Sequence, residues 1–327
     1  MAQAIALHLG YGAWPMQDLS PASIARRFEA LSLQISTIIR GKALQIEDCL
    51  TCLMAGGHLL IEDLPGVGKT TLAHTLAVSL GLRYSRVQFT ADLLPSDLLG
   101  VSLYERERGG WQFHPGPVFA QVLLADEINR AGPKTQSALL EAMEEHQVTA
   151  DGQTHALPRP FFVIATQNPS EQLGTHPLPE SQLDRFLMRI SLGLPDRAAE
   201  REMLLGQDSR EAIRHLQALM QPEELLAIQA RIPQVHASPA LLDYLQALLG
   251  ATRSGQWFSD GLSPRAGLAL LRAARARALL RGRDHVTPDD LQGILAQTIA
   301  HRLRPRPGSG RGAVEQVRAM LEAVPLP

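Results

Sequence analysis

The stretch 63–71 reads Asp-Leu-Pro-Gly-Val-Gly-Lys-Thr-Thr and joins a short apolar run, 59–61, to a segment of helical character that starts at Thr71. A strand that passes through a glycine-rich loop into a helix is typical of a phosphate-binding loop, because glycines let successive backbone N–H groups point at phosphate oxygens. The N-terminus of the helix adds partial positive charge at the same place. The stretch therefore predicts a nucleotide-binding site.

Residues of this loop have distinct expected roles. Lys69 can reach the β- and γ-phosphate oxygens, and the Thr70 hydroxyl can ligate Mg²⁺. Asp63 stands where the general pattern G-x-x-x-x-G-K-[ST] has its first glycine, so the match is incomplete. The residues expected to contact the nucleotide are Pro65, Gly66, Val67, Gly68, Lys69, Thr70 and Thr71.

A second motif lies at 122–130 and reads Val-Leu-Leu-Ala-Asp-Glu-Ile-Asn-Arg. An apolar run that ends in two acids is typical of a buried central strand that delivers carboxylates to its C-terminal end. Asp126 is expected to hold Mg²⁺, and Glu127 to polarise the water that attacks the γ-phosphate. Together the two motifs predict ATP and Mg²⁺ as cofactors and ATP hydrolysis as the reaction.

The composition is that of an ordinary globular protein with room for two domains. The chain has 327 residues, of which 45% are hydrophobic and 20% are charged, and its formal net charge is −2. This charge gives no global attraction to nucleic acid or to an anionic membrane, and no apolar run approaches the length of a membrane span. The first residues lack the basic segment of a secretory signal. We therefore expect a cytoplasmic protein that does not bind nucleic acid.

The two cysteines, Cys49 and Cys52, form a C-x-x-C pattern in a segment, 46–55, whose apolar residues have helical spacing. A zinc site requires two further ligands, and a redox site of this pattern requires a preceding strand of the thioredoxin type. The sequence offers no matching Cys or His pair and no such strand. We therefore expect buried, structural thiols.

Alternating strand and helix patterns predict an α/β fold, in which a parallel sheet has helices on both faces. The expected organisation is an unspecific leader at 1–22, an αβα nucleotide-binding domain at 23–193 and an all-helical lid domain at 194–327. Two hairpins, at 101–113 and 147–157, are expected to interrupt the first domain. The expected strands are 58–62, 86–89, 122–126 and 161–165, and the clearest helices are 69–80, 133–145 and 312–323.

Three further residues are candidates for contacts with the γ-phosphate or the attacking water. Asn168 follows the apolar run 161–165 and can hydrogen-bond either group, although Asn before Pro is also common in plain turns. Arg185 either pairs with an acid on its own surface or reaches the nucleotide of the next subunit as an arginine finger. Arg265 lies in the first turn of a helix capped by Ser263, where it either faces solvent or contacts the γ-phosphate from the lid.

Five segments resemble the motif set of the MoxR family of AAA+ ATPases, and the resemblance covers about residues 24–325. The segments are 65–70 (Pro-Gly-Val-Gly-Lys-Thr), 125–131 (Ala-Asp-Glu-Ile-Asn-Arg-Ala), 165–169 (Ala-Thr-Gln-Asn-Pro), 182–186 (Gln-Leu-Asp-Arg-Phe) and 263–266 (Ser-Pro-Arg-Ala). The resemblance implies Lys69 and Thr70 as the Walker A pair, Asp126 and Glu127 as the Walker B pair, Asn168 as sensor 1, Arg185 as the arginine finger and Arg265 as sensor 2. Arg189 is close enough to Arg185 to leave the finger assignment open.

The same resemblance implies how such a protein acts. It implies a ring, expected to be a hexamer, with ATP bound between subunits, and a chaperone-like motor that assists assembly, metal insertion or remodelling of partner complexes. It also implies a partner that carries a von Willebrand factor A domain, which would be a separate chain because this sequence contains no such domain.

Three alternatives remain open from the sequence. The ATPase subunit of a magnesium or cobalt chelatase has the same motif set. A DNA-remodelling motor of the minichromosome-maintenance type has only the basic run at 272–283 in its favour, and a solvated lid helix explains that run. A scaffold that uses ATP only to assemble is disfavoured by the intact Glu127.

Overall fold

The computed structural model describes residues 18–106, 109–168, 174–204 and 209–326. Its central sheet has five parallel strands in the order β2-β5-β8-β1-β9, which confirms the predicted α/β fold. These strands are β1 (His58–Glu62), β2 (Tyr84–Gln88), β5 (Val122–Asp126), β8 (Phe162–Gln167) and β9 (Phe186–Ile190).

The strand positions follow from the apolar runs of the sequence. All five residues of β5 are buried, as are the first five of β8, because helices cover both faces of a parallel sheet. The predicted strands at 58–62 and 122–126 have the expected bounds, and the other two differ by one or two residues at their ends. The edge strand β9, beside β1, was not among the strands expected from the sequence.

The helices of the nucleotide-binding part cover the sheet and precede it. They are α1 (Pro21–Ile38), α2 (Ala43–Met54), α3 (Lys69–Ser79), α4 (Pro95–Leu99), α5 (Pro133–Glu145) and α6 (Glu180–Leu183). The Ser20 hydroxyl accepts a hydrogen bond from the backbone N–H of Ser23 and so caps α1. Helix α1 therefore begins within the last two residues of the expected leader, whose residues 1–17 lie outside the described part.

Both predicted hairpins are confirmed. The first pairs β3 (Gly100–Glu105) with β4 (Gly110–Pro115), and the second pairs β6 (Gln147–Ala150) with β7 (Gln153–Ala156). Asp151 and Gly152 both have positive φ angles at the tight turn of the second hairpin, as expected for an Asp-Gly pair. The two hairpins touch where the Phe113 and His155 rings stack.

The described residues from 194 to 326 are helical apart from isolated bridges and connecting loops. Their helices are α7 (Arg197–Leu204), α8 (Ser209–Arg214), α9 (Pro222–Arg231), α10 (Pro239–Arg253), α11 (Pro264–Leu280), α12 (Pro288–Ile299) and α13 (Ala313–Ala323). Helix α11 packs against α1, α2 and α12, and α12 packs against β9. One hydrophobic core therefore runs from the sheet through the two N-terminal helices into the lid.

The two cysteines are buried and free, on helix α2, as expected for structural thiols. The Cys52 thiol donates a hydrogen bond to the backbone carbonyl of His58. Burial raises the pKa of both thiols, which keeps them protonated and unreactive.

The expectation that the basic run at 272–283 is a solvated helix face holds for the exposed Arg272 and Arg281 and is wrong for Arg277. Arg277 is buried and lies within 4 Å of the carboxylates of Glu47 and Asp48. Arg281 pairs with Glu47 at 2.9 Å, and Arg283 pairs with Asp290 at 2.7 Å. Acids of the same chain therefore neutralise much of this run, which removes the main sequence argument for a DNA motor. Within the described residues, no helix has the length and apolarity needed to cross a bilayer.

Candidate nucleotide-binding and hydrolysis site

Three polar segments meet at one edge of the sheet. Strands β1, β5 and β8 are parallel, so their C-terminal ends lie side by side. The loop that starts at Asp63 follows β1, Asp126 ends β5, and Asn168 follows β8. The structure therefore brings the two predicted Walker motifs and Asn168 to a single edge.

The loop is open where a nucleotide phosphate would lie. Gly66 and Gly68 have φ angles of 84° and 96°, and no atom lies within 4 Å of the position that a Cβ would occupy at either. These left-handed conformations favour glycine and leave the backbone accessible. The Lys69 ammonium donates hydrogen bonds to the carbonyls of Asp63, at 2.6 Å, and Leu64, at 3.1 Å. Burial lowers the pKa of Lys69, although nearby acids offset part of this effect.

Asp63 has a structural role that sequence analysis did not identify. Its buried carboxylate accepts hydrogen bonds from the backbone N–H of Leu64, the hydroxyl of Ser191 and the backbone N–H of Gly193. Ser191 and Gly193 belong to the linker that leads from β9 to the lid. The residue that replaces the first glycine of the general pattern therefore connects the phosphate loop to this linker.

Asp126 is held by Thr166 and Arg86, two residues to which the sequence motifs assigned no role. One carboxylate oxygen accepts a hydrogen bond from the hydroxyl of Thr166 at 2.6 Å, and the other pairs with Arg86 at 2.7 Å. Thr166 lies on β8, beside the end of β5, and its hydroxyl also accepts a hydrogen bond from the backbone N–H of Glu127. Thr166 thus orients the carboxylate of Asp126 and holds the backbone of Glu127.

Glu127 lies in the left-handed region, with φ 56° and ψ 51°. This conformation is uncommon for residues other than glycine and is found preferentially at functional sites. The Glu127 carboxylate accepts hydrogen bonds from the side chains of Gln88, at 2.8 Å, and Arg130, at 2.9 Å. Two neighbours therefore fix the direction in which this candidate base points.

The residues at this edge fit a Mg²⁺ ion bound with a nucleotide. The Thr70 hydroxyl and the Asp126 carboxylate are oxygen donors of the kind that Mg²⁺ prefers, and the open loop leaves space for phosphate oxygens to complete the ligand set. Elsewhere in the described residues there is no group of three or more His, Cys, Asp or Glu side chains that could bind a metal ion.

Arg185 and Arg265 lie together at the other edge of the sheet. Both pair with Glu144 at 2.9 Å, one with each carboxylate oxygen, and Arg265 also lies 3.9 Å from Asp184. These arginines hold the pKa of Glu144 below its usual range, and the hydrogen bond from Arg265 is the largest cause.

The sheet separates this arginine pair from the phosphate loop of its own chain. Arg185 immediately precedes β9, at the level where His58 begins β1, whereas the phosphate loop follows the last residue of β1. Five residues at about 3.3 Å each separate the two edges by roughly 16 Å. Helix α5 starts at the C-terminal edge of the sheet and runs back to its N-terminal edge, and Glu144 lies in the last turn of this helix. The structure therefore brings Arg185 and Arg265 to each other and not to Lys69.

Arg189, the other candidate for the finger, lies within β9 and pairs with Glu62 at 2.8 Å. Its guanidinium is thus engaged beside β1 of the same chain. Arg185 is paired as well, with Glu144 at 2.9 Å, so what distinguishes the two is that Arg185 lines a cavity with Arg265 at the sheet edge.

Comparison with known proteins identifies the family. Residues 58–188 match the model of the ATPase family associated with various cellular activities (AAA), and residues 250–322 match the AAA lid domain. Chaperone MoxR1 of Mycobacterium tuberculosis is 39% identical over 90% of this chain and 81% of its own length. The chain belongs to the MoxR family of AAA+ ATPases. YeaC of Bacillus subtilis is 45% identical to this MoxR-family chain; the match covers 85% of this chain and 88% of YeaC.

A solved structure has the same architecture as this MoxR-family ATPase. The crystal structure of a candidate ATPase from Cytophaga hutchinsonii superposes with a TM-score of 0.85 and 34% sequence identity, over 94% of this chain and 97% of the other. A more distant relative, the 38 kDa subunit of a magnesium chelatase from Cereibacter sphaeroides, is 28% identical over 67% of this chain.

Proposed function

We propose that this protein is a chaperone-like motor of the MoxR type, which uses ATP to assist assembly, metal insertion or remodelling of partner protein complexes. We further propose that it acts as a hexameric ring. The observation that carries the proposal is the separation of Arg185 and Arg265 from the phosphate loop of their own chain. One subunit alone offers a nucleotide site that lacks Arg185 and Arg265, and an arginine pair that lacks a nucleotide, so we infer that two subunits complete one site.

In the proposed reaction, Lys69 leaves the carbonyls of Asp63 and Leu64 and binds the β- and γ-phosphates. Thr70 and Asp126 would hold a Mg²⁺ ion, which would supply positive charge to the same oxygens. Asn168 and Glu127 position a water, whose oxygen forms a bond to the γ-phosphorus while the bond to the leaving phosphate oxygen breaks. Glu127 takes the proton of that water.

The arginines of the neighbouring subunit complete the site. We assign Arg185 as the finger that stabilises charge developing on the γ-phosphate, and Arg265 as the residue through which the lid detects that phosphate. Glu144 holds both side chains in the free subunit, and the phosphates would compete with it for them. Loss of the γ-phosphate would then change the position of helix α11, which carries Arg265, and this is the proposed mechanical output.

A separate protein with a von Willebrand factor A domain is the proposed partner. The first hairpin supports a protein contact because it exposes large side chains: Trp111 is 75% exposed and packs edge-on against the exposed Tyr104. We also propose a cytoplasmic location, which the free, buried thiols of Cys49 and Cys52 support.

The ATPase subunit of a magnesium chelatase is the second candidate. The likeness to the 38 kDa chelatase subunit favours it. The two functions differ in their partners, since a chelatase subunit acts with the other subunits of that enzyme. Capture of the partner therefore distinguishes them.

The test is a trap for the ATP-bound state. Glu127→Gln should bind ATP without hydrolysing it, and should hold the ring together with its client. The tagged variant is captured from its native cell with ATP present, and bound proteins are identified by mass spectrometry. The matched control is Glu127→Gln combined with Lys69→Ala, which should bind no ATP and retain no client.

Each outcome of the capture has a definite meaning. A partner with a von Willebrand factor A domain, present with the trap and absent with the control, supports the MoxR-type function. Chelatase subunits support the second candidate, and DNA would support a nucleic-acid motor. Equal ATP binding by wild type and Lys69→Ala would contradict the nucleotide site itself.

A further inference from the structure

A cavity of about 240 Å³ lies between the start of β9 and helix α11, at the sheet edge that carries the arginine pair. Four arginines line it: Arg185, Arg265, Arg272 and Arg302. Arg185 and Arg265 already have assigned roles in the proposed function. The other two are not explained by the AAA+ motifs.

Arg272 is placed on the same face of α11 as Arg265. The two residues are seven positions apart, which is close to two helical turns, so their side chains leave the helix in similar directions. Arg272 is exposed, and among the described residues it forms neither a hydrogen bond nor an ion pair. By contrast Arg281, at the C-terminal end of α11, already has a counter-ion, because it pairs with Glu47.

The cavity has more positive than negative charge. Two carboxylates face its four guanidinium groups: Glu144 pairs with Arg185 and Arg265, and Asp184 pairs with Arg302 at 3.1 Å. The Arg302 side chain is 94% buried, and its Nη1 has no hydrogen-bond partner within the described residues. Two positive charges therefore remain without a counter-ion, one of them on the exposed Arg272, and an anion is the ligand that such a cavity would bind.

We propose that Arg272 is a third arginine that each subunit presents to the triphosphate bound at its neighbour's loop. The proposal rests on the proposed function, because Arg185 and Arg265, which line the same cavity, are assigned to that triphosphate. Along the axis of α11, Arg265 and Arg272 are about 10 Å apart. With their long side chains, they can hold two different phosphate groups of one nucleotide.

The surface beside Arg272 is suited to contact with a second copy of the chain. Leu268, one turn before Arg272, lines the cavity and is 70% exposed. A neighbouring subunit that covers Leu268 would exclude water from the cavity. The attraction between Arg272 and a phosphate becomes stronger when water is excluded.

The test uses Arg272→Gln, which removes the charge while keeping a similar side-chain length, and measures steady-state ATP hydrolysis by the assembled full-length protein. We expect kcat to fall roughly tenfold to a hundredfold, as for loss of one charge-assisted hydrogen bond, and KM to change less. Arg272→Lys should keep part of the activity. The matched control is Arg318→Gln, which removes an exposed lid arginine from helix α13 and should leave kcat unchanged.

Mixed assemblies test the action between subunits. Arg272→Gln subunits have an intact phosphate loop, and Lys69→Ala subunits have an intact Arg272. A mixture of the two variants should therefore hydrolyse ATP faster than the sum of the two variants measured separately.

The proposal is overturned if Arg272→Gln hydrolyses ATP like wild type, or if mixing with Lys69→Ala restores nothing although the same mixture restores activity to Arg185→Ala. These results differ from failure of the proposed function. If the proposed function were wrong, wild type and Lys69→Ala would hydrolyse ATP at the same rate, or Arg185→Ala would retain full activity.

Discussion

The Asp63 carboxylate accepts a hydrogen bond from the backbone N–H of Gly193 at 2.7 Å. The same oxygen accepts a second hydrogen bond, from the Ser191 hydroxyl at 3.0 Å. Asp63 starts the phosphate loop, and Ser191 and Gly193 belong to the linker between β9 and the lid. Asp63, which departs from the general Walker A pattern, thus connects the start of the phosphate loop to the linker that leads to the lid.

The first prediction is that Asp63→Ala destabilises the folded protein. The substitution leaves the Ser191 hydroxyl and the N–H of Gly193 without their acceptor, so the free energy of unfolding should fall by about 1–3 kcal/mol. Asp63→Asn keeps one acceptor oxygen and should lose less. Urea unfolding of the three proteins, without nucleotide, measures the difference. Equal midpoints for wild type and Asp63→Ala would show that the linker contact contributes nothing.

Much of the nucleotide site was predictable because its residues lie next to strand ends. An apolar run such as 122–126 identifies a buried strand, and in a parallel sheet the ends of such strands must meet at one edge. The positions of Lys69, Asp126 and Asn168 at that edge therefore follow from local patterns and one rule of topology.

The ion pairs of the site and the edge strand could not be predicted, because they depend on contacts between residues far apart in the chain. Glu144 and Arg265 are separated by 121 positions, and no local pattern indicates that they form an ion pair. The edge strand β9 was missed for a related reason, since only its pairing with β1 distinguishes it from other apolar segments. Arg86 is a polar residue in an exposed strand position, and its pairing with Asp126 requires the register of β2 beside β5.

The second prediction concerns the ion pair between Arg86 and Asp126. Because the Arg86 guanidinium occupies one oxygen of the carboxylate assigned to Mg²⁺, the ion must compete with it. Arg86→Gln should lower the Mg²⁺ concentration needed for half-maximal ATP hydrolysis, by roughly threefold to tenfold for loss of about 1 kcal/mol of competing interaction.

The measurement is a titration of ATPase activity with Mg²⁺ at fixed ATP, for wild type and Arg86→Gln. Arg83→Gln is the control, because it removes a positive charge just before β2 without a contact to Asp126. A higher Mg²⁺ requirement in Arg86→Gln would mean that Arg86 orients the carboxylate for the ion and does not compete with it.

The third prediction is that Arg185 and Arg265 both act on the nucleotide of a neighbour. Arg185→Ala should bind ATP normally and lose roughly a thousandfold or more in hydrolysis, and Arg265→Ala should lose less. Each variant should recover part of its activity when mixed with Lys69→Ala, whose arginines are intact.

Arg189→Ala is the control for this experiment, since Arg189, within β9, pairs with Glu62 and is not among the residues that line the cavity with Arg185 and Arg265. It should retain most of its hydrolysis. Recovery of Arg185→Ala but not of Arg265→Ala would assign Arg265 to the site of its own subunit, against the position that its contact with Glu144 indicates.

The fourth prediction concerns pH and the buried His58. Its Nδ1 accepts a hydrogen bond from the backbone N–H of Val163, and its Nε2 lies 3.2 Å from the carbonyl of Met143, to which the neutral ring can donate. Burial lowers the pKa of His58 from its ordinary 6.5 to about 3. Between these values the unfolded chain binds a proton at His58 and the folded chain does not. The free energy of unfolding therefore decreases as the pH falls below about 6.5, by up to roughly 1.4 kcal/mol per pH unit.

Urea unfolding of wild type and His58→Gln, from pH 7.5 to pH 5, tests this sign. His58→Gln should be less stable at pH 7.5 and should lose less stability on acidification. Asp48, whose pKa is raised to about 6 by burial, acts in the opposite direction in both proteins, so only the difference between them reports on His58. Parallel pH profiles for the two proteins would mean that His58 does not remain neutral in the fold.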